Sequence, residues 1–562
     1  MEAGRGDRLT TLAVLDERLA RLGNGLDLAA VQDWLGEKLA GVTVRSAPDP
    51  GHRMAELGDV LAESGAERLV LGLSSPQYAL GEVQAQARLA GLDPLGIETV
   101  DLGTHGALVH SQTEATEKTK LLLAAAVARA RAFPGSQPAM VKPHLPKAAS
   151  RRFWFGLSHL EHRPVPWIDK ERCVAESGCR LCVEVCPVDA LAAGKGTIGL
   201  DTAACESCGL CLPACPKEAV VFAGQAPVQD EAQLALLLND DLTTLAPRGL
   251  LFYCAQTAAT LAALAQDGWT YPAGWLPIQV PCVGMLTPMR LLGCLTAGAA
   301  AVAVVSCHEQ CAFGQPEQLA GRVSYCRELL ERCGETNPPV LLCPATDPEL
   351  TEQLNTLPTH TRQRAYSNGS LHGQSVEQGV DMAADGEVPA SPPAADRQRG
   401  AAAVVHELAQ ASPRPDEVAL THPQSPFGLI EVTEGCTVCG MCAEVCPTQA
   451  LLLEQQNGTL SLTFDPELCT ACGQCLPTCP EAEQDVLHLQ HATDVGRLSA
   501  GRTTLYQDET QRCESCGAPI APTAMLERVT ALLGDAHPGT TAVIARYCPS
   551  CRGIAPMPTQ TG

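Results

Sequence analysis

The sequence predicts a multidomain chain of mixed α/β and α+β units, and three patterns carry that prediction. Cysteines recur in short, proline-terminated runs at two separate places, two stretches alternate apolar strands with helical segments, and the tail holds two CxxC pairs. At 562 residues the chain has room for several cores. The expected layout is an α/β domain at 1–135, a linker at 136–168, a cysteine-run domain at 169–226 and a second small α/β domain at 245–345. A flexible linker at 346–424 with a short helix at GAAAVVHELAQ, 400–410, a second cysteine-run domain at 425–490 and a zinc-ribbon-like unit at 505–562 complete it.

Residues 1–135 contain no cysteine. LDLAAVQDWLGEKL has helical spacing, VTVRS and RLVLGL read as short buried strands, and TEATEKTKLLLAAAVARARA is a long closing helix, which together make a parallel-sheet unit. With the SSP at 74–76 after an apolar strand and ALVHSQTEATEKTK at 107–120, this stretch resembles the N-terminal domain of the heterodisulfide reductase A subunit. Members of that family carry cysteines here, one of them before the SP-type turn, where this chain has Ser74 or Ser75. The resemblance therefore implies a domain that has lost its cluster and keeps a docking or scaffolding role. The family continues into a flavin domain, whereas this chain passes through a proline-containing linker directly to cysteines. Its GxGxxG, Gly194, Gly196 and Gly199, lies in a stretch too short for a βαβ unit and reads as a connecting turn. No flavin and no NAD are expected to bind this chain.

The cysteine runs decide the class of chemistry. CTVCGMCAEVCP at 436–447 and CTACGQCLPTCP at 469–480 each place three cysteines at CxxCxxC and a fourth before proline, the run that wraps thiolates around a [4Fe-4S] cubane. Because the fourth cysteine crosses over in two-cluster proteins, one site takes Cys436, Cys439, Cys442 and Cys479, and the other Cys469, Cys472, Cys475 and Cys446. Residues 205–216 repeat the unit without change, and residues 173–187 repeat it with five residues in the first gap, between Cys173 and Cys179. By the same rule they give Cys173, Cys179, Cys182 and Cys215, then Cys205, Cys208, Cys211 and Cys186. A zinc site or a disulfide scaffold is the alternative, but zinc ribbons use two separated pairs. The chain thus resembles two bacterial dicluster ferredoxin domains on one polypeptide, with four [4Fe-4S] clusters.

Between them, GLLFYC, PIQVPC, AVAVVSC and PVLLC read as strands separated by helices, hence a parallel sheet whose strand ends share one edge. Cys254, Cys282, Cys307 and Cys343 all end strands and are expected to converge there, while Cys294, Cys326 and Cys333 lie on helices and read as structural. FYC, PCVGML and SCHEQC resemble segments of the delta subunit of methyl-viologen-reducing hydrogenase. That resemblance implies a [2Fe-2S] cluster on Cys254, Cys282, Cys307 and Cys311, with Cys343 as the other candidate for the fourth ligand. Here the CHEQC loop is one residue shorter than in the family, and Ala255 and Thr257 replace family cysteines. A Cys307–His308 nucleophile and base is disfavoured, because neighbours on an extended backbone point to opposite faces.

In the tail, Cys513, Cys516, Cys548 and Cys551 form two CxxC pairs 31 residues apart, read as a structural zinc site rather than an iron one. Twenty-eight cysteines without a secretory leader point to a reducing cytoplasm, and no apolar run reaches membrane-spanning length. With 63 acidic against 39 basic residues, the charge of −24 disfavours nucleic acid and favours basic docking faces on redox partners. The function expected is an electron-transfer subunit of a heterodisulfide-reductase-like or hydrogenase-like complex. It would relay single electrons from a hydrogenase or formate dehydrogenase type donor to a flavoprotein or disulfide-reducing partner. A redox-sensing or zinc-dependent interaction protein is the rival class.

Overall fold

The computed structural model describes residues 9–143, 160–239, 241–307, 311, 313, 316–355, 394–533 and 538–554. In the N-terminal domain, strands Thr11–Asp16, Val42–Ala47, Arg68–Leu73 and Ile97–Asp101 form a parallel sheet in which the first strand lies between the second and third. Leu12 to Leu15 are fully buried because helices cover both faces of that strand, which is why it reads as a continuous apolar run. Helix Gln112–Arg131 starts at a capping box, in which Ser111 and Glu114 satisfy each other's free amides, and it buries most of its length.

The central domain repeats this design. Strands Gly249–Cys254, Trp275–Val280, Ala301–Val305 and Val340–Cys343 are parallel, with the first strand again inside the sheet. Helix Pro227–Leu237 packs along Gln112–Arg131 and joins the two α/β domains. Asp230 on it pairs with Arg129 at 2.6 Å and also with Arg290. A second bond set crosses the same boundary: Tyr271 Oη lies 2.9 Å from His105 Nδ1 and accepts from Lys118 Nζ at 3.0 Å, all three residues being buried.

Each cysteine module is small and irregular. In the first, Gly194 and Gly196 lie in the tight link between strands Leu191–Ala193 and Ile198–Leu200, and Gly199 sits on the second of them, so the glycines build a hairpin and not a strand-to-helix turn. The linker expected at 136–168 is ordered at both ends, where Val141–Pro143 pairs with His162–Pro164; residues 144–159 lie outside those described.

Three expectations need correction. The flexible linker at 346–424 contains helices Glu349–Leu354 and Ala394–Ala409 and strand Ala419–Thr421; its residues 356–393 are not among those described. The short helix expected at 400–410 starts earlier, at Ala394, and its Ala402, Val405 and Ala409 are fully buried in the core shared with Leu291, Leu292 and Leu329 of the central domain. Consequently the second cysteine module is docked rather than free to swing, and Tyr325 bonds Thr493 at 2.7 Å within that contact. Finally, the tail is not a separate unit. Strand Thr503–Arg512 pairs antiparallel with Thr459–Phe464 and extends the sheet of the second module. An unpaired hairpin edge supplied the partner, and edge pairing leaves no mark in either sequence alone.

Candidate cluster-binding sites

In the second module the backbone curls through left-handed positions at Val438 (φ 50°) and Gly440 (φ 79°), then at Ala471 (φ 53°) and Gly473 (φ 72°). These turns bend each CxxCxxC around a point, so three sulfurs of one run face one space. Cys436, Cys439, Cys442 and Cys479 line a small hollow walled by Val432, Leu462 and Leu487. Cys446, Cys469, Cys472 and Cys475 line another walled by Ile430, Phe464 and Leu489. Four thiols around an apolar hollow fit a [4Fe-4S] donor set, including the crossover of the fourth cysteine. Burial, reinforced by the neighbouring thiols, pushes Cys442 and Cys475 up to about 12, so metal binding at these two thiols must displace their protons.

The first module repeats the arrangement. Cys173, Cys179, Cys182 and Cys215 line a small hollow with Ile168, Leu181 and Ile198. The widened gap forms a turn over Ala175–Ser177 that closes at Gly178 (φ 90°). Cys186, Cys205, Cys208 and Cys211 make the other set, each of the last three within electrostatic reach of another member. The proline-turned fourth cysteines carry amide donors that spacing did not reveal. Ala190 donates to Cys186 Sγ at 3.3 Å and Ala219 to Cys215 Sγ at 3.2 Å. Lys142, from the ordered end of the first linker, donates to the Cys205 carbonyl. Such contacts raise cluster potentials by stabilising added negative charge.

At the edge of the central sheet, Cys254 Sγ and Cys307 Sγ are 3.3 Å apart and buried or half-buried. Cys254 is drawn down by the bond from Cys307, which is itself pushed up. Cys282, pushed up to about 11 mainly by burial, receives the Gly284 amide at 3.4 Å, and Cys311 lies within electrostatic reach of both Cys282 and Cys307. Thr257, which stands where the resembling family has a cysteine, accepts the Cys254 amide at 3.1 Å and so orients the ligand strand's end. Cys343 does not converge with them. It pairs with Val305, whose side chain faces the Trp275 and Leu350 core, whereas Phe252 and Cys254 face the opposite core. Strand alternation therefore turns the fully buried Cys343 away. His308 is not among the described residues, and Cys294, Cys326 and Cys333 are buried packing residues.

Residues 250–349 match the family model "Methyl-viologen-reducing hydrogenase, delta subunit", and residues 435–482 match "4Fe-4S dicluster domain". The chain carries a hydrogenase delta-subunit domain and a ferredoxin-type dicluster domain. No curated protein matches it. The delta-subunit domain spans the central sheet and its cysteine edge, and the dicluster domain spans both cavities of the second module, so iron–sulfur electron transfer is the chemistry these regions serve.

Beyond the dicluster domain, the sulfurs of Cys513, Cys516, Cys548 and Cys551 all lie within 4.8 Å of one another. A tetrahedral ion with bonds of about 2.3 Å needs sulfurs about 3.8 Å apart, and Cys516 and Cys548 are separated by 3.6 Å. Backbone amides, first that of Cys548, draw Cys513 down to about 6. The long insert between the pairs is taken up by strand Pro519–Pro522 and helices Thr523–Leu533 and Pro538–Arg546. Among the described residues, no helix is long and apolar enough to cross a membrane.

Proposed function

We propose that this chain is the electron-relay subunit of a cytoplasmic oxidoreductase complex, holding four [4Fe-4S] clusters on its sixteen ferredoxin-type cysteines and one [2Fe-2S] cluster on Cys254, Cys282, Cys307 and Cys311. The observation that carries this reading is the grouping of thiols around apolar hollows in each module and at the sheet edge. When bound, such clusters exchange single electrons without bond rearrangement. The chain's own residues supply the rest: apolar walls exclude water, amides at Ala190, Ala219 and Gly284 donate to sulfur, and Thr257 holds the end of the ligand strand.

The delta-subunit domain directs the relay toward a hydrogenase or formate dehydrogenase type donor, with a flavoprotein or heterodisulfide-reductase-like subunit as acceptor. The N-terminal domain, similar to that of heterodisulfide reductase A but without cysteine, acts as scaffold, clamped by the Asp230 ion pairs and the Tyr271 bond set. The Cys513, Cys516, Cys548 and Cys551 site holds structural zinc. Flavin and NAD sit on partners.

Anaerobic purification from the native source tests this directly. About eighteen irons, matching acid-labile sulfide and about one zinc per chain are expected, together with co-purifying redox subunits. A colourless, sulfide-free preparation refutes the reading.

A further inference from the structure

The two cysteine modules differ in charge. Between Arg414 and Arg497 the chain has no lysine and no arginine, while aspartates and glutamates recur through the stretch. The first module instead mixes Lys170, Arg172, Arg180, Lys195 and Lys217 among its acids. Cations from beyond the second module take up particular carboxylates: Arg528 pairs with Glu481 at 2.9 Å and Arg497 with Glu431 at 3.7 Å. Glu434, Glu444 and Glu483 are exposed and have no ion pair among the described residues. They stand two residues before Cys436, two after Cys442 and four after Cys479, which groups them around a single thiol site.

Over that same site the surface is apolar. Met441 and Leu453, 41% and 38% exposed, are among the few large apolar side chains left open to solvent in the described residues. Leu453 lies over Gly440, where an added Cβ would come within 2.8 Å of its Cδ2, and Met441 is the next residue, so the two share one patch. Gly440 lines the hollow and follows the half-buried Cys439, which puts the patch one residue from a ligand position. Leu453 belongs to strand Leu451–Gln456, the outermost of its sheet. The tail extends that sheet on the opposite side, and no described strand covers this edge.

We propose that this face, Met441 and Leu453 with Glu434, Glu444 and Glu483 around them, docks a small one-electron carrier protein whose redox centre lies under an apolar face ringed by lysine or arginine. The proposal rests on the reading of the Cys436, Cys439, Cys442 and Cys479 set as a cluster site. It adds which site meets the carrier and what the carrier's surface must be. The apolar centre excludes water from the contact, while the acidic rim steers basic partners in and turns acidic ones away. One electron crosses per encounter, one protein being oxidised as the other is reduced, and no bond or proton moves.

The test uses the full-length, anaerobically purified chain, with cytochrome c, whose haem edge is ringed by lysines, as the probe. The chain is reduced with dithionite and freed of excess reagent, and stopped flow follows ferric haem becoming ferrous. Met441→Ser/Leu453→Ser is expected to slow the second-order reaction about tenfold. Glu434→Gln/Glu444→Gln/Glu483→Gln is expected to slow it about tenfold at low salt and to flatten its dependence on ionic strength. Leu89→Ser/Val228→Ser and Glu17→Gln/Glu37→Gln/Glu63→Gln make the same chemical changes at exposed positions elsewhere and are expected to leave the rate unchanged. Independently of electron transfer, carbodiimide is expected to cross-link Glu434, Glu444 and Glu483 of the unaltered chain to cytochrome c, and not to its succinylated form. Equal slowing by the patch and control variants, or cross-links scattered over other acidic surfaces, overturns the docking site in an iron-loaded protein. A dimer in light scattering that Met441→Ser/Leu453→Ser dissolves assigns the face to a second copy and also overturns it. A chain lacking iron and sulfide overturns the functional reading, and the proposal with it.

Discussion

Replacing Cys343 and Cys307 in parallel asks whether strand parity selects the delta-domain ligands. Cys343 ends its strand as Cys254 ends its own, but its register partner is Val305, on the Trp275 face. Its thiol is fully buried among carbon atoms and its upward shift to about 12 has burial as its one cause, with no cysteine acting on it. Cys343→Ala therefore removes one packing atom. The lost transfer energy is about 0.8 kcal/mol, and the small cavity adds a comparable or smaller amount, for a total of about 1 to 1.5 kcal/mol. Iron content is expected to be unchanged. Cys307→Ala removes a sulfur 3.3 Å from Cys254 and leaves three thiols, so about two irons per chain are expected to be lost. Iron and labile sulfide per chain, with denaturation of the delta-domain region followed by hydrogen exchange, measure both effects. Iron loss in Cys343→Ala with full retention in Cys307→Ala refutes the parity argument.

Asp230→Ala leaves the guanidiniums of Arg129 and Arg290 without their shared partner, a loss of about 3–5 kcal/mol for a broken buried pair. It is expected to raise hydrogen exchange in helix Pro227–Leu237, and unchanged protection there contradicts the clamp. Burial, and then the Lys118 charge, draws His110 down to about 2, so between that value and about 6.5 the unfolded chain binds a proton the folded chain refuses, and stability falls as pH drops through 6.5. From pH 7.5 to 5 the His110 share of the loss is about 2 kcal/mol; His110→Gln is expected to remove that share in exchange measurements on helix Gln112–Arg131 while His105, also held down by burial, keeps its own, and an unaltered pH profile contradicts the assignment. Cys548→Ser is expected to release the tail's zinc while every iron is retained, as measured by elemental analysis; loss of iron with zinc intact would reverse the metal assignment.

Legibility from sequence varied with the range of the interaction. The α/β strands at 68–73 and 249–254 are apolar runs whose flanking helices announce a sheet covered on both faces, and the glycines at 194 and 196 were readable as a connecting turn, whereas the strand at 11–16 went unread. The amide donors at Ala190 and Ala219, the Lys142 contact and the role of Thr257 carry no sequence signal, because backbone donors belong to any residue. The helix at 394–409 was visible only as a short stretch, since its burial depends on a partner surface more than a hundred residues earlier in the chain.

What the sequence by itself determined is which thiols belong to one run, for CxxCxxC closes on itself within a few residues and needs only backbone turns at positions such as Gly440 and Gly473. Tertiary structure alone decided which face of the central sheet Cys343 occupies, that the second module is docked, and that Thr503–Arg512 extends its sheet. Those outcomes depend on register and on surfaces joined across long stretches of chain, where no local spacing constrains the answer.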